Sequence, residues 1–519
     1  MDIGYITGHM AKDSMDSKKT AIKVESGESW SYQELHERSN AYANKLYELG
    51  VRKGDRVGIL LYNSKEYIGL YFAVAKIGAI AVRLNFRLSS NELEYALNDS
   101  ETKVLCFDSE FEEKIESIRD QIPVQEYICL SYHNQSIPNW SEKWQVLDDG
   151  SIREIHNQNI KLTDPVMLMY TSGTTGRPKG AIWTHDTTLW FSSIQAMKWD
   201  FTGNEIGMTT GPLYHVGALE DIALPILMMG GTVVISQSKE FEISRVLSVI
   251  EEEKVTDCFM FPFMIYEMLQ LSSIDQYQLK NLKTIYTGGD SLIPWAFEQL
   301  NKRYPHLDVV QVYGLTEGQP IAASLDSTDS LSKGHTVGKP MPLTEVKIID
   351  NDDNDLSIGK VGEIAIKSPG VSAGYWRKPD ATKETFIDGW CKTGDLGIID
   401  EDGYLSIAGR KKDMIRSGGE NIYAAEIEDV LYRHNAVKEA SIIGIPDPKF
   451  IEAVCAVIVT KETVNTTEEE IINHCKEYLA SYKKPRRVIF VDELPRTSSG
   501  KIQKFVLRKQ FGEKSISAK

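Results

Sequence analysis

Cysteine is scarce in this 519-residue chain, with six in all and no CxxC pair among them. Cys106, Cys129, Cys258, Cys391, Cys455 and Cys475 are scattered without matching histidine spacing. That argues against a zinc site or a disulfide scaffold and predicts buried, reduced thiols. Long apolar runs are missing too: nothing approaches the roughly 20 residues that a membrane-spanning helix needs. The opening MDIGYITGHMAKDSMDSKK has no apolar core of signal-peptide type, so a cytoplasmic location is expected. Positive charge is in short supply, with 58 Lys and Arg against 74 Asp and Glu. The resulting net charge of −16 argues against general nucleic-acid binding. What is present, 42% hydrophobic and 25% charged residues, is the composition of a globular protein, and the length exceeds what one core supports.

The pattern along the chain is α/β. Ser31 and Glu34 form a capping box, after which Leu35, Tyr42, Leu46 and Leu49 recur at helical spacing until Gly50. Residues 57–61 read as a buried strand, 64–77 as a helix, and AIAVRLNF as a strand again. The alternation returns at 242–253 (helix), 256–260 (strand) and 293–303 (helix), which predicts parallel sheet covered by helices. Between 333 and 408, short runs such as EVKIID, GEIAIKS and LSIAG alternate with turn signals, the pattern of a compact β-barrel-like region. Beyond it, helices at 424–434 and 468–479 and strands ASIIGI, AVCAVIVT and RRVIFV form a smaller α+β unit. The expected organisation is a large N-terminal domain, 1–411, followed by a small mobile C-terminal domain, 412–519.

The segment richest in chemistry is YTSGTTGRPKG at 170–180, which follows the strand-like PVMLMY. Its glycines let the backbone approach an anion closely, while hydroxyls and Lys179 add donors and charge. Polyphosphate is the natural ligand. A P-loop NTPase is excluded, because that motif needs Gly before its Lys and Ser or Thr after it. Here Pro178 precedes Lys179 and Gly180 follows.

Four later segments appear in order: QVYGLTE (311–317), KTGD (392–395), GRKKDMIRSGGENIYAAEIE (409–428) and PRTSSGKIQK (495–504). With the glycine loop, they make the chain resemble the adenylate-forming superfamily over nearly its full length. That superfamily holds acyl- and aryl-CoA synthetases, firefly luciferase and peptide-synthetase adenylation domains. The resemblance is strongest to bacterial fatty-acyl-CoA synthetases, through SGGENIYAAEIE and YTGGDSL. It implies ATP, Mg²⁺ and coenzyme A as the small-molecule partners of a carboxylic acid, and it is compatible with a homodimer.

The resemblance also implies roles. Thr171, Ser172, Gly173, Thr174, Thr175, Gly176 and Lys179 would cradle the β- and γ-phosphates. Tyr313, beside Gly314, would stack on adenine, with Gly288, Gly289 and Asp290 along the adenine edge. Thr316 would donate to the α-phosphate and Glu317 would hold Mg²⁺. Asp395 would accept from the ribose hydroxyls, and Arg410 would contact ribose and phosphate. Lys501 would bridge carboxylate and phosphate during adenylation. Lys412 would be the hinge for a domain rotation that brings Gly418 and Gly419 to a pantetheine tunnel. The basic stretch 482–487 is a further candidate for coenzyme A phosphates.

His215, with Tyr214, would sit where the acyl and thiol sites meet. Segments 214–218, 259–263, 287–289 and 314–321 are the expected acyl pocket, apolar and aromatic, with no obvious buried cation. A fatty acid or a plain aromatic acid is therefore expected. Where some long-chain enzymes carry a gating tryptophan, this chain has Leu219. A carrier-loading acyl-AMP ligase is the alternative within the superfamily. A non-catalytic binding protein is disfavoured, because Lys179, Glu317, Asp395, Arg410 and Lys501 are all present.

Overall fold

A computed structural model describes residues 2–12, 17–131, 136–155, 159–171, 177–238, 241–417, 420–461, 464, 466–496 and 502–512. The capping box forms as expected: Glu34 N–H donates to Ser31 Oγ at 3.2 Å and Ser31 N–H donates to Glu34 Oε2 at 2.7 Å. The helix Tyr32–Glu48 that it starts ends just before Gly50, which takes φ +83°. The next helix, Lys65–Lys76, is buried from Tyr67 onward, so it belongs to the core on every face. All six cysteines are buried free thiols.

Among the described residues the strands form four sheets. The largest has nine strands, in the order Lys339–Pro340, Gln319–Leu325, Asp308–Leu315, Thr284–Gly288, Asp257–Phe259, Ile206–Thr209, Thr232–Ile235, Thr20–Val24 and Ser29–Ser31. Its interior pairs are parallel, and antiparallel strands close both edges. From Ile206–Thr209 the chain goes first to the neighbour on one side, Thr232–Ile235, and then to Asp257–Phe259 on the other. A reversal of this kind opens a crevice at the carboxyl ends of the strands, where α/β sheets bind ligands. The segments after Thr209, Phe259 and Gly288 all emerge there.

The second sheet has seven strands: Glu142–Lys143, Glu126–Leu130, Val104–Asp108, Arg56–Leu60, Ile80–Arg83, Pro165–Thr171 and Lys179–Thr184. All pairs are parallel except the last, in which Tyr170 faces Gly180 and Thr171 faces Lys179. The strands on either side of the glycine-rich segment are thus antiparallel neighbours. A P-loop joins a strand to a helix, so topology separates the two as cleanly as the residues around Lys179 do.

The region expected to be mainly β is a five-stranded antiparallel sheet built from Glu345–Ile349, Gly362–Lys367, Phe386–Ile387, Trp390–Ile399 and Leu405–Arg410. From Ile415 onward another five-stranded sheet, centred on Ile451–Thr460, carries the helices Ala424–Tyr432, Glu468–Tyr478 and Lys504–Gly512. It has its own apolar clusters, around Ile427, Leu431 and Ile458 and around Ile443, Val457 and Leu507. Expected and observed elements agree to within a few residues. No described helix is long and apolar enough to cross a membrane.

Candidate active site

Thr171, Lys179 and Glu317 come from three different elements. Thr171 ends one strand of the glycine-loop hairpin, and Lys179 begins the other, directly opposite. Glu317 sits in the turn between Asp308–Leu315 and Gln319–Leu325. Thr171 Oγ1 donates to Glu317 Oε1 at 2.8 Å, which joins the loop to the motif YGLTE across the gap between the two large sheets. Tyr375 donates to the same oxygen at 3.1 Å, and the Lys179 ammonium lies 4.8 Å from the centre of the Tyr375 ring. Burial, reinforced by the Glu317 charge, pushes the Tyr375 hydroxyl up, so it stays a donor at neutral pH.

Tyr375 was not legible beforehand. It lies in GVSAGYWRKP, where composition signals only a turn. The segment acts as a strap: Ser372 N–H donates to the Glu317 carbonyl at 2.9 Å and Trp376 N–H to that of Gly180 at 2.8 Å. Trp183 Nε1 donates to the Thr316 carbonyl at 3.0 Å. Glycine loop and YGLTE turn are therefore fastened through both backbone and side chains.

The second group is built on paired strands. Asp395 and Arg410 face each other across Trp390–Ile399 and Leu405–Arg410. Arg410 Nε lies 2.9 Å from Asp395 Oδ1, and Tyr313 Oη donates to Oδ2 at 2.9 Å. Asp395 is buried, and Thr393 Oγ1 accepts from its backbone N–H at 3.1 Å. Burial first, then the Asp395 charge, pushes Tyr313 well above the usual phenol range. Each carboxylate oxygen keeps a second lone-pair direction for a hydroxyl donor. Tyr313, its hydroxyl anchored, presents a ring of fixed orientation. Gly314 follows because no side chain fits there: a Cβ would lie 2.2 Å from the Gln319 carbonyl oxygen.

The residues expected along the adenine edge lie at the end of the strand Thr284–Gly288 and just after it. A Cβ on Gly288 would lie 2.7 Å from Val312 Cγ2, and Gly289 takes φ +86°. The Asp290 carboxylate is exposed and accepts from Ser291 N–H at 2.9 Å, which makes it a turn former. His215 ends the loop after Ile206–Thr209. Its Nδ1 accepts from Gly217 N–H at 3.1 Å, so the neutral ring carries its proton on Nε2. Tyr214 accepts from Arg87 at 3.1 Å. Leu219 is fully buried, a core residue in this structure.

The segments expected to form the acyl pocket contain no buried cation among the described residues; Arg83, from the strand Ile80–Arg83, reaches under the loop to the carbonyls of Leu213 and, at 3.2 Å, His215. Glu220 neutralises it, both side chains being wholly buried. In the basic stretch, Lys483 pairs with Glu426 at 2.6 Å and Arg486 stacks on Phe450 at 3.9 Å, so these two already have partners.

Ser172, Gly173, Thr174, Thr175, Gly176, Gly418, Gly419 and Lys501 lie outside the described residues. The flanks of Lys501 are defined: Arg496 and Ile502 form an antiparallel bridge, and Gln503 N–H donates to the Pro495 carbonyl at 2.8 Å. Lys412 is exposed between two tethered neighbours. Lys411 pairs with Glu363 at 2.8 Å and Asp413 with Arg508 at 2.6 Å.

Thr171, Lys179 and Glu317 are thus linked through Tyr375, and Tyr313, Asp395 and Arg410 form a second linked group. Residues 11–376 match the AMP-binding enzyme family and residues 426–501 match the AMP-binding enzyme C-terminal domain. The chain belongs to that family. It is 36% identical to a feruloyl-CoA synthase of Amycolatopsis sp. over 504 residues, covering 96% of this chain and 97% of that one. It is 35% identical to the long-chain-fatty-acid–CoA ligase FadD13 of Mycobacterium tuberculosis, covering 92% and 93%. The crystal structure of the anthranilate CoA ligase AuaEII in complex with anthranoyl-AMP superposes with a TM-score of 0.90 at 27% identity, covering 99% of this chain and 98% of that one. Family and site together define an AMP-forming acid–thiol ligase. Aryl-acid and fatty-acid ligases both appear among the relatives, so membership does not favour the fatty acid expected from sequence.

Proposed function

We propose that the chain converts an aryl carboxylic acid to its acyl-adenylate with ATP and then transfers the acyl group to coenzyme A. The observation that carries this reading is the hydrogen-bonded Tyr313–Asp395–Arg410 group together with the Thr171–Glu317 pair, one suited to a nucleoside and the other to its phosphates. The acid's carboxylate attacks the α-phosphorus of ATP, the bond to the bridging oxygen breaks and pyrophosphate leaves. The thiol of coenzyme A then attacks the acyl carbon, AMP leaves with the bonding pair, and the thiol proton is lost to solvent or a base.

In this reading Thr171 and Lys179 hold the departing pyrophosphate, and Asp395 and Arg410 hold the ribose. Thr316 donates to the α-phosphate, whose added charge needs donors already in place. Lys501 bridges carboxylate and α-phosphate. The acid lies over Tyr214, Phe259 and Phe261, the latter two rings being 5.3 Å apart and edge-to-face. Such walls favour a flat aromatic tail.

Glu317 fits Mg²⁺. A single carboxylate is what that ion takes from a protein when phosphates supply the remaining oxygens. No group of three or more His, Cys, Asp or Glu ligands exists among the described residues, as such a shared site would not need one. Bound there, Mg²⁺ would neutralise phosphate charge, and the Thr171 and Tyr375 hydroxyls fix the Glu317 carboxylate through one oxygen.

Incubation with ATP, Mg²⁺, coenzyme A and a panel of benzoates, cinnamates and fatty acids is expected to yield AMP and thioester in equal amounts. Aryl acids should lead the panel. AMP without thioester would support a carrier-loading ligase instead, and faster turnover of fatty acids would return the acid to the class expected from sequence.

A further inference from the structure

The loop between Thr209 and Val216 carries Tyr214 and His215, and its backbone is held by two side chains that come from the other large sheet. Asn63 stands just after the strand Arg56–Leu60, and Arg83 ends the parallel neighbour Ile80–Arg83. Asn63 Nδ2 donates to the Gly211 carbonyl at 2.9 Å, and its Oδ1 accepts from Leu213 N–H at 2.7 Å. Arg83 donates to the carbonyls of Leu213 and, at 3.2 Å, His215. Four backbone groups of an irregular segment are thus paired with two side chains far away in sequence. Main-chain groups withdrawn from water need such partners, and here the partners set the shape of the loop.

Both side chains are themselves fixed. Asn63 Nδ2 also donates to the Ser236 carbonyl at 2.9 Å, and Asn63 N–H donates to Ser238 Oγ at 2.8 Å. With two carbonyls on its nitrogen and an N–H on its oxygen, the amide has one orientation that satisfies every partner. Arg83 is wholly buried, neutralised by Glu220, and donates through Nε to Tyr67 Oη at 3.3 Å.

The strand ending in Arg83 pairs on its other side with Pro165–Thr171, Arg83 standing opposite Met169. Thr171 follows two residues later, at the end of that strand. The loop bearing Tyr214 is therefore tied to the same edge of the seven-stranded sheet as a residue assigned above to phosphate. Toward the nine-stranded sheet, Thr210 Oγ1 donates to the Phe259 carbonyl at 2.5 Å, and Phe86 meets Tyr214 edge-to-face at 5.2 Å.

We propose that Asn63 and Arg83 are positioning residues for the carboxylic acid. Acting through the loop backbone, they hold the Tyr214 wall in register with the strand end of Thr171, and so set where the acid lies when its carboxylate meets the α-phosphate. This rests on the ligase reading, in which Tyr214 lines the acid site. Reactions between two bound partners are sensitive to displacements of about 1 Å caused by residues outside the chemistry.

The test is initial-rate kinetics of the full-length enzyme, varying ATP and then the acid of the panel above that the wild type uses fastest. In Asn63→Leu, similar in size but without the side-chain bonds, KM for the acid is expected to rise about tenfold or more while KM for ATP stays within about threefold. Asn63→Asp turns a carboxylate toward the Gly211 and Ser236 carbonyls and should show the same split. So should Arg83→Lys, which keeps a charge for Glu220 but has one nitrogen in place of the fork. KM belongs to the folded molecules alone, so partial loss of folded enzyme lowers only the rate at saturation, and a variant that does not fold leaves the other two to decide. An unchanged KM for the acid, or acid and ATP values rising together, overturns the proposal and leaves both residues as anchors of the fold. Failure of every acid to form thioester with the wild type removes the ligase reading itself, whereas thioester formation without the split in the variants removes this inference alone.

Discussion

Lys501→Ala is expected to lower acid-dependent adenylation by about 10²- to 10³-fold or more, the loss typical of removing a group that stabilises developing charge. The carboxylate and the α-phosphate are both anions, and their approach needs a cation between them. On either side of the segment that holds Lys501, Arg496 and Ile502 form an antiparallel bridge. Formation of thioester from supplied acyl-AMP and coenzyme A should change little in the same variant, because that step needs the lysine withdrawn.

The complementary variant is Lys412→Pro. Lys411 is tied to Glu363 and Asp413 to Arg508, so the backbone at Lys412 is the joint where the tethers change partners. Proline restricts φ there and removes the N–H. Adenylation is expected to persist while the coenzyme A step fails, since hinge motion gates successive steps. Single-turnover measurement of the two half-reactions separates these outcomes. Equal loss of both in Lys501→Ala would remove the role assigned to it.

The second large effect is expected for Asp395→Ala. Asp395, the residue proposed to hold the ribose, accepts from Tyr313 at 2.9 Å and pairs with Arg410 at 2.9 Å. Its loss leaves the Tyr313 hydroxyl buried without an acceptor, costing about 1–3 kcal/mol of stability. The Arg410 side chain is 40% exposed, so water replaces much of its lost ion pair and adds little to that figure. The nucleotide loses more. A ribose hydroxyl bound to a charged acceptor contributes about 1.5–3 kcal/mol, so KM for ATP should rise roughly 10- to 100-fold per hydroxyl. Asp395→Asn keeps the shape and should lose less. Initial-rate measurements against ATP, with thermal unfolding of each variant, check both parts. A variant with unchanged KM for ATP would mean that Asp395 is a structural anchor for Tyr313 only.

Much of this was legible before the structure because it is local. Ser31 and Glu34 are three residues apart, and a capping box is a short-range pattern, so the start of the helix Tyr32–Glu48 follows from spacing alone. Asp395 and Arg410 become neighbours through one antiparallel strand pair and could be named from their motifs. Tyr375 could not. Its bond to Glu317 spans 58 residues and depends on a strap between two sheets, for which GVSAGYWRKP carries no periodic signal. The Arg83–Glu220 pair spans 137 residues, and charged residues in an apolar segment give no sign of their partner. The identity of the acid was not legible, since the segments expected to form its pocket follow three separate strands.

The most direct test of the central claim is isotope exchange of labelled pyrophosphate into ATP with coenzyme A omitted. Label should enter ATP only when enzyme, Mg²⁺ and a cognate carboxylic acid are all present, because the acyl-adenylate forms reversibly before any thiol is needed. Exchange that proceeds without acid, or its absence with every acid that yields thioester, would contradict the account.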